Sequence, residues 1–251
     1  MPQLMRTSNP TLNDNAFRNE HVAYGQESMT IQGTVNKTGI LLLCSIATAV
    51  FTWNKFLDSR SPEAVMPLAA LGAIGGLVVA IVTVFKKNWS PVTAPLYALL
   101  EGLVLGAVSA IFEVRWPGLP IQAVSLTFGV LLVMLVAYRS RIIPVTDKLR
   151  IGIVAATGAI ALFYVVQFIL SFFGVHFTAV NSSSPIGIGF SVVVVIIASL
   201  NLVLDFDFIE RGSQAGAPKY MEWYGAFGLM VTLIWLYFEM LRLLSKIRDR
   251  R

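Results

Sequence analysis

The sequence predicts an all-α membrane protein, a bundle of seven transmembrane helices. The 251 residues are 56% hydrophobic and only 13% charged, whereas soluble domains carry roughly 25% charged residues. Apolar runs recur along the chain, and about 20 apolar residues suffice for a helix to cross a hydrocarbon core of about 30 Å. Polar and basic stretches separate these runs. A soluble fold could not bury this much apolar surface.

We expect the chain to comprise a tail, a membrane domain and a short basic end. Residues 1–36 are polar and predict a flexible tail, with a short interfacial helix around Ala16 to Tyr24. Residues 37–247 form the membrane domain, and 248–251 are basic. The seven predicted spans are Thr38 to Trp53, Ala64 to Phe85, Val92 to Phe112, Ile121 to Tyr138, Ile151 to Phe173, Ile186 to Phe208 and Tyr224 to Leu244.

Polar residues and glycines mark the ends and contacts of these spans. The short links Lys86 to Pro91 and Arg211 to Lys219 predict that the spans they join are antiparallel neighbours. Residues with helix-start or helix-stop preferences stand at span ends: Pro91 and Pro95 for the third, Thr146 with Asp147 for the fifth, and Gly212, Gly216 and Pro218 after the sixth. The GxxxG pairs Gly72/Gly76 and Gly102/Gly106 predict close helix packing.

The distribution of basic residues predicts a cytoplasmic N terminus, because Lys and Arg concentrate in cytoplasmic loops. Before the last span, most basic residues lie on the side of the membrane that holds the N terminus. The loops on the other side hold only Lys55, Arg60 and Arg115. The C-terminal basic residues Arg242, Lys246, Arg248, Arg250 and Arg251 oppose this orientation if the last span crosses fully. Either they are an exception or the last span re-enters, and its length favours a full crossing.

Glu101 is the first candidate for chemistry inside the membrane. It stands about ten residues into the third span, which places it near mid-membrane at 1.5 Å per residue. Ionisable residues at this depth are expensive and usually functional. Glu101 is therefore either a relay for protons or cations, or a protonated side chain hydrogen-bonded to a neighbouring helix.

The acidic end of the sixth span supplies further candidates. Asp205 lies one turn after Asn201 and is the better candidate for the bundle interior. Asp207 is either part of the same pathway or an interfacial charge that points to water or pairs with a basic loop. In the last span, Glu239 is three residues before Arg242, which predicts a local ion pair, and a role at the outer mouth of a pathway is the alternative.

Other function classes are not indicated. The net charge of +5 comes from basic residues spread over loops and tails, which argues against nucleic-acid binding. Cys44 is the only cysteine, and the only histidines, His21 and His176, fit no HExxH pair. Nucleophile-elbow and phosphate-loop motifs are missing from the sequence. We expect neither an enzyme nor a resident cofactor.

Three stretches resemble one family: APLYALLEGLVLGAVSAIF with Glu101, RIIPVTDKLRIGIVAATGAIALFYVVQFILSFFG, and the acidic sixth-span end followed by a short link and an aromatic-rich last span. Over roughly Val35 to Ile247 the chain resembles the Bax inhibitor 1-like (transmembrane BAX inhibitor motif) family, and a bacterial member in particular. The resemblance implies a seven-helix bundle with the last helix central, located in the plasma membrane of a bacterium, which leaks calcium in a pH-sensitive way.

The resemblance also implies a gate. In such relatives an aspartate on the sixth helix and one on the seventh share a proton and close the pore on the cytoplasmic side. Asp205 matches the first position, with Asp207 as the alternative, but the second falls near Thr232, which cannot titrate. A gate built on Asp205 alone or on Asp205 with Glu101 remains, and these two carboxylates are the expected calcium ligands.

The sequence therefore favours a pH-sensitive cation (calcium) leak channel or exchanger-like pathway, whose partners are the lipid bilayer, calcium and protons. The alternative is a non-conducting regulatory membrane protein whose N-terminal tail binds a partner such as a membrane protease. A transporter of small solutes is a third hypothesis.

Overall fold

The computed structural model describes residues 27–174 and 178–250, except for the side chains of residues 178 and 179. This part of the chain contains seven helices that are long and apolar enough to cross a membrane. They are α1 (Ile31–Ser59), α2 (Met66–Phe85), α3 (Ser90–Arg115), α4 (Leu119–Arg139), α5 (Asp147–Ser171), α7 (Pro185–Gln214) and α8 (Met221–Asp249), with the one-turn helix α6 (Thr178–Asn181) between the fifth and sixth. The predicted fold class is confirmed.

The helices differ from the predicted spans mainly at their ends. Helix α1 begins at Ile31, inside the stretch predicted as tail, because the side chain of Thr30 caps it by accepting the N–H of Gly33 at 2.9 Å. Thr146 caps α5 as predicted. The interfacial helix predicted around 16–24 lies outside the described residues.

The sixth span was predicted to end at Phe208, but α7 continues to Gln214, and α8 begins at Met221, so the two helices are separate as predicted. The last two turns of α7 are polar, but side chains four residues apart pair with each other there: Arg211 with Asp207 at 2.8 Å, and Gln214 with Glu210 at 3.2 Å. Such pairs stabilise a helix end outside the hydrocarbon. The helix stops just before Gly216, whose φ of 66° suits glycine.

The structure divides into two compact units. The first, which we call the α4–α5 unit, comprises Ile121–Phe206 together with α8 from Thr232 onward. The second, the α1–α3 unit, comprises the described residues up to Pro120 together with Asp207–Val231. Helices α7 and α8 therefore each contribute one part to both units.

Within the α1–α3 unit, glycines set the distance between helices. A Cβ atom on Gly102 would lie 2.3 Å from the carbonyl oxygen of Ser45, and one on Gly106 would lie 2.2 Å from that of Ala49. On the opposite side, a Cβ atom on Gly72 would lie 2.4 Å from the Leu100 oxygen. Helices α1 and α2 thus approach α3 through the two GxxxG pairs, as predicted.

Polar groups within the spans follow the rule for a medium without water, where backbone and hydroxyl groups must find partners in the protein. Thr38 and Thr52 of α1 and Ser199 of α7 each donate to the carbonyl four residues earlier in their own helix. Large apolar side chains such as Leu43 and Ile74 are exposed on the outside. Helix α8 is the most buried of the seven, with 67% of its apolar window inside the structure against 11% for α5.

We predict that Gly106→Ala destabilises the protein, because the new methyl group would meet the backbone of α1, which cannot move aside as a side chain could. Overpacking of this kind typically costs about 1–3 kcal/mol. The measurement is thermal unfolding of the detergent-purified protein. Gly129→Ala in α4 is the matched control, since a Cβ atom there meets nothing within 4 Å, and equal melting temperatures for the two variants would contradict the packing assignment.

Candidate functional site

A buried line of polar residues runs along α7 in the α4–α5 unit. Gly187, Ser191, Asn201 and Asp205 recur at helical spacing and share one face of the helix. Ser191 and Asp205 are completely buried, and Asn201 is 3% exposed. The intervening members of this face, Val194 and Ala198, are also buried.

A second line runs along α8, where Thr232, Glu239 and Lys246 recur every seven residues. All three side chains are buried. The Lys246 ammonium donates to the Ser191 hydroxyl at 2.9 Å, which fixes the register between the two helices. We call these residues of α7 and α8 together the polar stripe.

The register places Thr232 at the level of Asp205. Asp205 follows Ser191 by as many residues as Thr232 precedes Lys246, and each step along an α-helix advances by about 1.5 Å. The Asp205 end and the Lys246 end of the polar stripe are therefore about 21 Å apart. The stripe spans most of a hydrocarbon core.

Asn201 connects the polar stripe to α5. Its side-chain amide donates to the hydroxyl of Thr157 at 2.8 Å and to the carbonyl of Ile197, also at 2.8 Å. Because its amide donates hydrogen bonds both to α5 and to its own helix, Asn201 fixes the rotation of α7 one turn before Asp205. The Asp205 carboxylate is thereby held at the interior face of the helix.

Glu239 forms the predicted ion pair, with one further partner. The Arg242 guanidinium donates to both Glu239 oxygens, at 3.0 and 3.2 Å, and the Tyr164 hydroxyl of α5 donates to one of them at 3.0 Å. The guanidinium also lies over the Tyr164 ring, 4.9 Å from its centroid. The pair accounts for one basic residue of the last span, and Lys246 is likewise held inside the protein.

Asp207 is placed differently from Asp205. Its carboxylate is 15% exposed and pairs with Arg211 on the same helix. Asp207 belongs to the α1–α3 unit, in the polar end of α7. This geometry fits the interfacial interpretation of Asp207.

Glu101 lies half-buried in α3 of the α1–α3 unit. Its carboxylate lies against α2, since a Cβ atom on Gly76 would lie 2.8 Å from the Oε1 atom. One turn earlier, Tyr97 is 5% exposed and hydrogen-bonds to Glu101. The ring of Tyr97 packs edge-on against Phe227 of α8, with centroids 4.9 Å apart. An approach of Glu101 to Asp205 stays a prediction.

A buried carboxylate at the start of α8 was not among the site residues predicted from the sequence. The Glu222 side chain is completely buried and accepts from the backbone N–H and the hydroxyl of Thr30, at 2.9 and 2.8 Å, and from the Lys37 ammonium. Gly33 leaves room for it, because a Cβ atom there would overlap the carboxylate. Thr30, Gly33 and Lys37 share one face of α1, but nothing local in the sequence connects that face with a residue so far along the chain.

Neighbouring contacts reinforce this junction of α1 with α8. Lys219 lies 3.3 Å from Glu222, and this hydrogen bond raises the pKa of Lys219 above its usual value. The N–H of Met29 donates to the Ala217 oxygen at 2.6 Å, and its own oxygen accepts from Ser213. Residues 28–30 are thus held by hydrogen bonds to the end of α7 and to the start of α8.

These features define a polytopic helical membrane protein that keeps carboxylates within and beside its spans. The chain matches the family model described as Bax inhibitor 1 like over residues 9–249, and it belongs to that family. A search of curated proteins found no match. The suspected family is confirmed.

We predict that Glu222→Gln destabilises the protein by about 1–3 kcal/mol. Breaking a buried ion pair costs about 3–5 kcal/mol, and we expect less here because the side chains of Lys37 and Lys219 are 17% and 44% exposed. Thermal unfolding measures the loss. Glu27→Gln serves as control, since Glu27 contacts the same Lys219 but is 82% exposed and should change stability little. Equal effects of both substitutions would argue against a special role of the buried site.

Proposed function

We propose that the protein provides a pH-sensitive pathway for cations, calcium in particular, across the membrane, with Asp205 as the group that gates it by binding and releasing a proton. The observation that carries this proposal is the complete burial of the Asp205 side chain on the interior face of an apolar span. We further propose that the protein conducts passively and is not an enzyme.

The energetic argument starts from the cost of a charge in hydrocarbon. A carboxylate at the centre of a span costs at least a few kcal/mol, and such residues usually face a pathway or a partner. A proton removes the charge, and a cation compensates it. A side chain that alternates between these two conditions would couple the passage of cations to pH.

Membership of the Bax inhibitor 1-like family supports calcium as the cation, because the family is associated with calcium leak. Calcium takes six to eight oxygen ligands, which are carboxylates, backbone and amide carbonyls, and water. Within residues 27–174 and 178–250, no group of three or more acidic, histidine or cysteine side chains is arranged around a common point. We therefore propose transient coordination at Asp205, with most ligands supplied by neutral oxygens and water.

The gate would use one acid at this level rather than two. Thr232 lies level with Asp205, and its hydroxyl can donate or accept a hydrogen bond but carries no charge. Two carboxylates that share a proton titrate in two coupled steps, and a threonine at this level cannot act as the second acid of such a pair.

Glu101 would assist as a second acidic group on the pathway. It lies in α3 beside Tyr97, and Tyr97 reaches α8 through its contact with Phe227. We propose a bacterial plasma membrane as the location and a cytoplasmic N terminus, in line with the bias of Lys and Arg before the last span.

The variant Asp205→Asn mimics the protonated side chain but cannot release a proton. In liposomes loaded with a calcium dye, we expect calcium flux through this variant to lose most of its dependence on external pH. Asp58→Asn is the control, because Asp58 is exposed near the end of α1. A pH profile identical to that of the wild type would remove Asp205 from the mechanism.

A double-variant cycle tests whether Glu101 and Asp205 act on one pathway. Glu101→Gln, Asp205→Asn and the double variant form a cycle, and flux is measured for each across the same pH range. We expect the effects to be non-additive, because removing either acid alters the charge that a passing cation meets. Additivity of the two effects within about 0.5 kcal/mol of barrier height would indicate independent sites.

A further inference from the structure

The end of the polar stripe opposite Asp205 carries a buried lysine. Lys246 is 5% exposed, and its ammonium donates to the carbonyl oxygens of Val180 and Gly187, at 2.7 and 3.1 Å, and to the Ser191 hydroxyl at 2.9 Å. We call these three acceptors the oxygen cluster. It satisfies all three donors of the ammonium.

The oxygen cluster has the chemistry of a cation site. All three atoms are neutral oxygens, two of them backbone carbonyls, and such oxygens replace the hydration shell of monovalent cations in selective pores. The cluster draws on α6 and on the first turns of α7, and Ser191 is completely buried. A buried lysine usually has a charged partner, whereas within the part of the chain that the structure describes the recorded acceptors of this ammonium are neutral oxygens.

We propose that the oxygen cluster is a binding site for a small monovalent cation of the primary ammonium type, and that the Lys246 ammonium is its resident, covalently tethered occupant. This inference rests in part on the proposed function, because the tethered charge closes one end of the pathway that begins at Asp205. A mobile cation arriving at this end meets an occupied site and a fixed positive charge, so Lys246 limits the leak.

The register supports this role for Lys246. The ammonium lies on the same α8 face as Thr232 and Glu239 and on the same α7 face as Asn201 and Asp205, so any passage along the polar stripe ends at Lys246. The nearby Glu239 already neutralises Arg242 at 3.0 Å.

The direct test removes the Lys246 ammonium from the oxygen cluster by substitution and supplies a free ammonium ion in its place. In Lys246→Ala, n-propylammonium chloride should raise the melting temperature of the detergent-purified protein by about 2–4 °C, whereas tetramethylammonium chloride, which has no N–H donors, should not. The wild type should respond to neither salt beyond the effect of ionic strength. Ser191→Ala in the Lys246→Ala background should reduce the response. Equal effects of the two salts on Lys246→Ala would overturn the proposed site.

A second variant keeps the inference testable if Lys246→Ala does not fold. Lys246→Gln retains much of the side-chain length and loses the charge, and cation flux through it in liposomes should rise severalfold above wild type. Unchanged flux would overturn the blocking role, even with a positive thermal response. Should the wild type carry no cation and Asp205→Asn have no effect, the proposed function fails, while the thermal test still decides whether the cluster binds ammonium.

Discussion

The structure depends on one constraint, that polar groups placed in hydrocarbon must find their partners within the protein. Hydroxyl groups on α1 and α7 meet it by bonding to carbonyls of their own helices. Arg242 meets it through Glu239 and Tyr164, and Lys246 through three neutral oxygens. Asp205 is completely buried under the same constraint, and in the proposed function it exchanges a proton for a passing cation. That exchange is the physical basis of the proposed gate.

The same constraint separates the acidic residues by role. Glu239 and Glu222 are buried, but each has basic partners at fixed geometry, so they hold helices together. Asp207 pairs with Arg211 at the partly exposed end of α7. Asp205 lies on the polar stripe, and the register with α8 places a threonine at its level. The paired-acid gate that the resemblance implies would need a second acid at this level.

The seven spans could be predicted because long apolar runs are a strong signal of helices in lipid. The ends of the helices were harder to predict. Helix α7, for example, extends through a polar end that is stabilised by pairs of side chains four residues apart. The Glu239–Arg242 pair could be read from helical spacing, but the contribution of Tyr164, which is 75 residues away along the chain, could not. Glu222 and Lys246 were missed for the same reason. In a membrane both the lipid-facing and the interior sides of a helix are apolar, so hydrophobic periodicity does not reveal which face meets which neighbour.

The most direct test of the account is infrared difference spectroscopy of the reconstituted protein during a pH titration, with the wild type compared with Asp205→Asn. The account predicts a protonated-carboxyl band that depends on Asp205, appears as pH falls, and changes over the same pH range as calcium flux. A spectrum in which Asp205 contributes no pH-dependent carboxyl signal would contradict it, because a side chain that never exchanges its proton cannot gate the pathway.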